Sequence, residues 1–315
     1  MRYTPSRRTF LSAVPLLGLA AAQAANAQTP APIRVGANAT DGFAGSLFAR
    51  DMGFFQKAHL DVDVQTFANG AAQNTAIAGG ALDIGISTVT AIANAVLHGI
   101  PWVIIAGGAM YESAAPAGVL AVAKDSPFKA AADLIGKTVA ISAFKDGTHL
   151  AMAAYLTRNN VDLTKVNFIE MPYPLMPQAV VRGTVDAAVL VEPFASGAAN
   201  DVRIVAKPLD AIAPEFLLSG WFTTKAWFTA NMGLAKRFAA VMAETSRWAN
   251  ANHQQSGELL QKYSKVSDAT IARMGRSVYA ETLTPALVDP TLDWAARVKF
   301  TERRVTPGEL IAKIT

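Results

Sequence analysis

Short runs of apolar and β-branched residues alternate along this chain with stretches whose apolar positions recur at helical spacing. Residues 33–37 read as a strand and 43–55 as a helix. A strand over 62–67, a helix over 71–78, a strand over 83–87, a helix over 91–97 and a strand over 102–106 follow. Continuous apolar strand runs separated by helices predict a largely parallel sheet with helices on both faces. The rhythm restarts with strands over 118–123, 138–142, 166–171, 187–191 and 202–205. Helices over 130–134, 148–159 and 177–182 lie between them. From residue 225 the pattern turns helical, over 234–252, 256–263, 268–278 and 290–300.

The two halves share a local signal. Gly80-Ala81-Leu82-Asp83-Ile84 and Gly183-Thr184-Val185-Asp186-Ala187 each follow a helical stretch and precede a buried strand. A helix stopped at Gly, then an Asp, then an apolar run marks a helix-to-strand return. Its recurrence at matching points predicts two related α/β lobes. No linker rich in Pro, Gly or Ser separates them, so extended crossing segments should join them. Residues 84–111 carry no Asp, Glu, Lys or Arg and are long enough to span a bilayer. Ser87, Thr88, Asn94, His98-Gly99 and Pro101 interrupt them, so they read as a buried strand, a helix and a second strand.

The first 27 residues stand apart. Ser6-Arg7-Arg8-Thr9-Phe10-Leu11 opens an uncharged stretch that runs to Ala25-Asn26-Ala27 before Gln28. A basic start, an apolar middle and small residues at the end form an export signal. Arg-Arg followed by Phe-Leu fits the twin-arginine route, and an ordinary secretory signal is the alternative. Cleavage there leaves 288 residues, enough for two lobes with their own cores. Of the 28 basic residues, Arg2, Arg7 and Arg8 lie in the signal, which holds no acid. The remainder has 25 basic and 24 acidic residues, a net charge of +1. No basic tract points to nucleic acid or to an anionic membrane. The chain has no cysteine, which removes disulfides, thiol nucleophiles and a lipid-modified N-terminal Cys.

No catalytic constellation emerges. His59, His98, His149 and His253 lack metal-ligand spacing. Gly85-Ile86-Ser87-Thr88-Val89 fails the nucleophile-elbow pattern at its last position, and no phosphate-binding Gly-Lys-Ser/Thr loop is present. The expectation is a non-enzyme with no cofactor and no metal. What the sequence does offer lies just past its strand ends, where open α/β sheets bind ligands. Asp41-Gly42-Phe43, Asn69-Gly70, Ser87-Thr88 and Phe144 to His149 each sit where a helix should begin. Free N–H groups at a helix start hold an anion without formal charge. Asp41, Ser87, Thr88 and Thr148 also read individually as plain helix caps. As a set at successive strand ends, these residues mark a binding cleft. Among the nearby aromatics, Trp221 follows Ser219-Gly220 where the chain should cross between lobes, and it is expected to line that cleft.

Gly53-Phe54-Phe55, Asn69-Gly70, Leu82-Asp83-Ile84-Gly85, the run 133–140 (Asp-Leu-Ile-Gly-Lys-Thr-Val-Ala) and Asp186…Glu192-Pro193 together look familiar in order and spacing. Over residues 33–315 the chain resembles periplasmic solute-binding proteins of ABC importers, in the branch that binds sulfonates, taurine, nitrate or thiamine pyrimidines. The resemblance implies a type II periplasmic-binding fold, with two α/β lobes and a ligand at the hinge cleft. Residues 33–116 and 223–315 would form one lobe and 117–222 the other, after a signal over 1–27. It implies a pocket of Asp41, Gly42, Phe43, Asn69, Gly70, Ser87 and Thr88 from the first lobe. Phe144, Gly147, Thr148, His149, Glu192 and Pro193 would come from the second, with Tyr111 and Trp221 near the crossings. A soluble periplasmic monomer would close on a small molecule and deliver it to a permease and its ATPase. Lys145, His149 and the helix starts favour a small organic anion, a sulfonate or carboxylate. An aminopyrimidine is the alternative, as is ligand sensing for a membrane receptor. The pyrimidine-forming enzyme of this superfamily uses a Cys-rich motif, which this chain lacks.

Overall fold

The computed structural model describes Met1 and residues 32–314. Apart from Met1, the expected export signal lies outside the described residues. The first stretch alternates β1 (Ile33–Ala37), α1 (Gly45–Asp51), α2 (Phe54–Lys57), β2 (Val62–Thr66), α3 (Gly70–Ala78), β3 (Gly85–Thr88) and α4 (Val89–Leu97). Two strands in near succession, β4 (Trp102–Gly107) and β5 (Ala109–Glu112), lead away from it. The middle holds β6 (Gly118–Ala123), β7 (Thr138–Ile141), α5 (Gly147–Arg158), β8 (Asn167–Glu170), α6 (Met176–Val181), β9 (Ala187–Val191), α7 (Phe194–Gly197) and β10 (Val202–Ala206). The chain returns through β11 (Glu215–Leu217) and β12 (Ser219–Thr224). It ends in α8 (Lys225–Ala230), α9 (Met232–Ala251), α10 (His253–Ser264), α11 (Asp268–Arg273), β13 (Val278–Tyr279), α12 (Pro285–Arg297) and α13 (Pro307–Leu310).

Two sheets of one design result. The middle sheet has the order β10-β6-β9-β7-β8, in which β6 alone runs against the other four. In the first part β1 pairs with β2, and β12 lies between β3 and β4. The parallel bridge Val35–Ile84 joins these groups, giving β4-β12-β3-β1-β2, with β12 alone reversed. The largely parallel sheet expected from the sequence is therefore broken in each half by one strand, which enters from the other half. The repeated Gly-x-x-Asp signals occupy equivalent places. Gly80 and Gly183 both have φ of 70°. The Asp83 carboxylate accepts the Arg34 N–H at 2.9 Å, and Asp186 accepts the Thr138 N–H at 2.8 Å. Each Asp therefore pins the start of its next strand to the neighbouring parallel strand, β1 for Asp83 and β7 for Asp186.

Alternation decides which residues each sheet buries. In β6, Val119 and Ala121 pack with Met176 and Val180 of α6 on one face. Leu120 and Val122 pack with Met152 and Leu156 of α5 on the other. Both faces are covered, which is why β6 reads as an unbroken apolar run. Val103 and Ile105 of β4 pack toward α9, whereas Trp102 and Ile104 pack toward α4 and α12. The last helices thus return to the first sheet. The buried positions of α9, Ala235, Phe238, Val241, Met242, Thr245, Ser246 and Ala249, recur at the three- and four-residue spacing of a single stripe.

The crossing segments lie side by side. Gly108 N–H donates to the Ser219 carbonyl at 2.9 Å, and Leu218 N–H donates to the Ala109 carbonyl at 2.9 Å. A Cβ on Gly108 would sit 2.6 Å from Ser219 Oγ and 2.9 Å from its carbonyl oxygen, so no side chain fits there. Among the described residues no helix is long and apolar enough to cross a membrane.

Candidate functional site

The carboxyl ends of the strands in both sheets open onto one cavity of about 330 Å³. Asn38 and Phe43 follow β1, Asn69 and Gly70 follow β2, and Ser87 and Thr88 end β3. From the other sheet come Ser142 to Asp146 after β7 and Tyr173 after β8. A narrow cavity of about 30 Å³ shares Phe43, Thr88 and Tyr173 with it and adds Gly42, Gly147, Thr148 and Glu192.

Three helices begin on this wall. Asn69 Oδ1 caps α3 by accepting the Ala72 N–H at 2.9 Å. Thr88 Oγ1 caps α4 by accepting the Ala91 N–H at 3.4 Å. Asp146 caps α5, accepting the Thr148 and His149 N–H groups at 2.9 and 3.0 Å and the Thr148 hydroxyl at 2.8 Å; Ser142 Oγ donates to its other oxygen. Helix starts carry partial positive charge, and each cap satisfies only part of the free N–H set.

The same residues reach across the cavity. Gly147 N–H donates to Thr88 Oγ1 at 3.1 Å, Asn69 Nδ2 to the Ser142 carbonyl at 3.5 Å, and Asp41 N–H to the Glu192 carbonyl at 3.1 Å. A Cβ on Gly147 would lie 2.9 Å from Thr88 Cγ2, so the approach of α5 to α4 requires glycine. Thr88 is therefore both a helix cap and a contact between the two halves.

Charge is sparse on the wall. Lys145 is exposed at the rim, with its backbone in the left-handed region at φ 56°. Burial pushes the Asp146 carboxyl up, against the pull of its four donors. Burial also pushes the Glu192 carboxyl up, although Ser196 donates to it through N–H at 3.1 Å and hydroxyl at 2.8 Å.

Of the residues expected at the site, Gly42, Phe43, Asn69, Gly70, Ser87, Thr88, Phe144, Gly147, Thr148 and Glu192 line the two cavities. Five are placed elsewhere. The Asp41 carboxylate is 1% exposed and pairs with Arg276 at 2.7 Å, while the Ser277 N–H and the Tyr279 hydroxyl also donate to it. It is already satisfied and lines neither cavity. Tyr111 is buried, and its hydroxyl donates to Asp210 at 2.6 Å. His149 lies among Phe144, Phe168 and Phe300, with Nδ1 accepting the Lys145 N–H at 3.0 Å. Burial, reinforced by Lys145, lowers its pKa to about 4. A ring that is neutral at pH 7 adds no charge for an anion, so the expected electrostatic role of His149 is withdrawn. Pro193 follows Glu192 through a cis peptide and lines neither cavity. Trp221 is 1% exposed and packs on Phe238 with ring centroids 5.6 Å apart, so it belongs to the core rather than the cleft wall. Sequence reasoning passed over Asn74, Asn94 and Trp102, which also line the larger cavity. The available signal was Asn94 and His98, four residues apart on an otherwise apolar helix.

Residues 40–256 match the model of a family described as NMT1/THI5 like. A Brucella abortus protein, provisionally named a binding protein, is 26% identical over 270 residues, which is 83% of this chain and 82% of that one. Among solved structures, the periplasmic aliphatic sulphonate binding protein SsuA from Escherichia coli superposes with a TM-score of 0.72 at 20% identity. That match covers 91% of this chain and 94% of SsuA. The alkanesulfonate-binding protein SsuA from Xanthomonas axonopodis pv. citri, bound to MOPS, gives 0.77 at 16% identity, covering 90% and 98%. These likenesses establish the fold: mixed α/β, of the periplasmic-binding-protein kind.

Proposed function

The chain belongs to the NMT1/THI5-like family, and from that premise we propose that it is an extracytoplasmic solute-binding protein, not an enzyme. It captures a small organic anion, a sulfonate or a carboxylate, and delivers it to an ABC permease and its ATPase. The chain enters the periplasm on a signal over residues 1–27 and works there as a monomer. Residues 33–116 and 223–315 form one lobe and 117–222 the other. The hinge is the paired crossing at Gly108 and Leu218.

The observation that carries this reading is the meeting of helix starts across the cavity, with α3 and α4 on one side and α5 on the other. Gly70 at the start of α3, Ser87 and Thr88 offer N–H and hydroxyl donors to an anion, with Lys145 at the rim. Asp146 does not oppose this strongly, because four donors spread its charge. Ligand shifts the lobes from open to closed only by its differential affinity for the closed form. The donors contributed from both sides supply that difference. The names of the Brucella relative and of the two SsuA proteins are consistent with this reading. Asn38, Asn69, Asn74 and Asn94 give the wall an amide lining that also suits an aminopyrimidine, the second reading.

Thermal unfolding against sulfonates, carboxylates, nitrate and aminopyrimidines tests it. Ligand at about 100 times its dissociation constant adds roughly 2.7 kcal/mol. For a chain of this size that raises the midpoint by about 5–10 °C. A selective rise with sulfonates or carboxylates is expected. A rise with aminopyrimidines alone establishes the second reading, and a folded protein that responds to none of the panel refutes ligand capture of this kind.

A further inference from the structure

The larger cavity does not end at the cleft. It continues along one face of α4, past Ala91, Asn94, Ala95 and His98, with Asn74 of α3 and Trp102 of β4 on its other walls. Ala91, Asn94, Ala95 and His98 are spaced by three and four residues, so they form one stripe facing this arm. Asn94 lies six residues beyond Thr88, about 9 Å along a helix.

The arm carries unmet hydrogen-bonding capacity of both signs. Asn74 Oδ1, Asn94 Oδ1 and Trp102 Nε1 are closed to solvent and have no partner. Trp102 is 2% exposed, and its ring is held against Phe222 with centroids 4.7 Å apart, so the indole is fixed in the wall of the arm. Leaving buried donors and acceptors unpaired is costly, so each of these groups gains from a partner brought into the arm. Asparagine amides turn about a soft terminal torsion, so each can present oxygen or nitrogen to a group entering the arm. A plain alkyl chain satisfies none of these atoms.

We infer that the arm between α3 and α4 is a second subsite, which takes an uncharged tail holding both a hydrogen-bond donor and an acceptor, such as a carboxamide. The inference rests on the anionic-head reading above and extends it. The natural ligand is then longer than the head group alone and polar at both ends.

Three sulfonates test it on the purified full-length protein: methanesulfonate (head only), hexanesulfonate (head and alkyl tail) and 3-acetamidopropanesulfonate (head and amide tail of the same chain length). Affinities come from calorimetry. Occupation of the arm comes from ¹⁵N-labelled indole signals, of which the chain has five; the one missing from Trp102→Phe belongs to Trp102. The amide probe is expected to bind at least tenfold more tightly than hexanesulfonate and to shift the Trp102 signal. Asn94→Leu should narrow the ratio of the two affinities to under threefold. Equal affinities, or a Trp102 signal that no bound sulfonate moves, overturn the subsite; methanesulfonate binding would then still uphold the anionic head. Should none of the three bind, methanesulfonate included, the head-group reading itself fails and the inference falls with it.

Discussion

Replacing Arg276 with Met tests whether Asp41 is a structural anchor or a ligand contact. Arg276 Nη2 lies 2.7 Å from Asp41 Oδ1, and its Nε lies 3.2 Å from both carboxylate oxygens. The side chains are 9% and 1% exposed, so solvent cannot replace either partner. Removing one member of a buried pair typically costs about 3–5 kcal/mol, because the other charge remains buried. Asp41 keeps the Ser277 N–H at 2.5 Å and the Tyr279 hydroxyl at 3.3 Å, and Met fills the volume of the Arg stem. The low end therefore applies, about 3 kcal/mol, or a midpoint lower by about 6–12 °C. In Asp41→Asn/Arg276→Met no charge remains buried, so the double variant should recover most of the loss. Scanning calorimetry of the wild type, both single variants and the double variant gives the coupling energy. A drop below about 3 °C for Arg276→Met, or a double variant as unstable as the sum of the singles, would sink the anchor argument.

Three further outcomes follow from the same geometry. Gly147→Ala should lower the unliganded midpoint by about 2–8 °C, because its Cβ would sit 2.9 Å from Thr88 Cγ2, an overpacked contact that costs about 1–2 kcal/mol. It should also weaken capture of the ligand that the thermal panel identifies by about tenfold, because the same clash pushes α5 away from Thr88 on the opposite wall of the cavity; titration calorimetry returning wild-type affinity refutes that contact. His149 has its folded pKa lowered to about 4, below the unfolded value near 6.5, so the unfolded chain binds the extra proton between those values. Stability is therefore lost as pH falls from about 6.5 to 4, by about 3 kcal/mol in total, and His149→Phe should remove that share of the slope in urea titrations. A variant whose slope matches the wild type disproves the neutral-ring assignment. Trp221→Ala should cost about 3–5 kcal/mol in chemical denaturation, as for a large core side chain; a loss under about 1 kcal/mol would remove Trp221 from the core.

What the sequence made legible is set by how far each residue reaches for its partner. The central strands were readable because each is a continuous apolar run covered on both faces, as in β4 and β6. The Asp83 and Asp186 signals were readable because each sits in a helix-stop pattern a few residues long. β12 was not readable. Its place between β3 and β4 depends on pairing with residues more than a hundred positions earlier, and nothing in Ser219–Thr224 announces that. The same divide runs through the site. Asn69, Thr88 and Asp146 bond within three residues, at Ala72, Ala91 and His149, so local cap chemistry marked the loops where the cavity lies. Asp41 looked identical in sequence, yet its partner is 235 residues away, and its paired carboxylate lines neither cavity. His149 was misread for a related reason: Phe168 and Phe300, which bury it, are distant in sequence. Thr88 resolves the choice between cap and contact that sequence left open. One hydroxyl accepts the Ala91 N–H within its own helix and the Gly147 N–H from across the cavity. Cap and cleft residue are therefore not rival readings at this position. Because the open strand ends of both sheets face each other, a side chain that caps a helix is already placed to meet the opposite half.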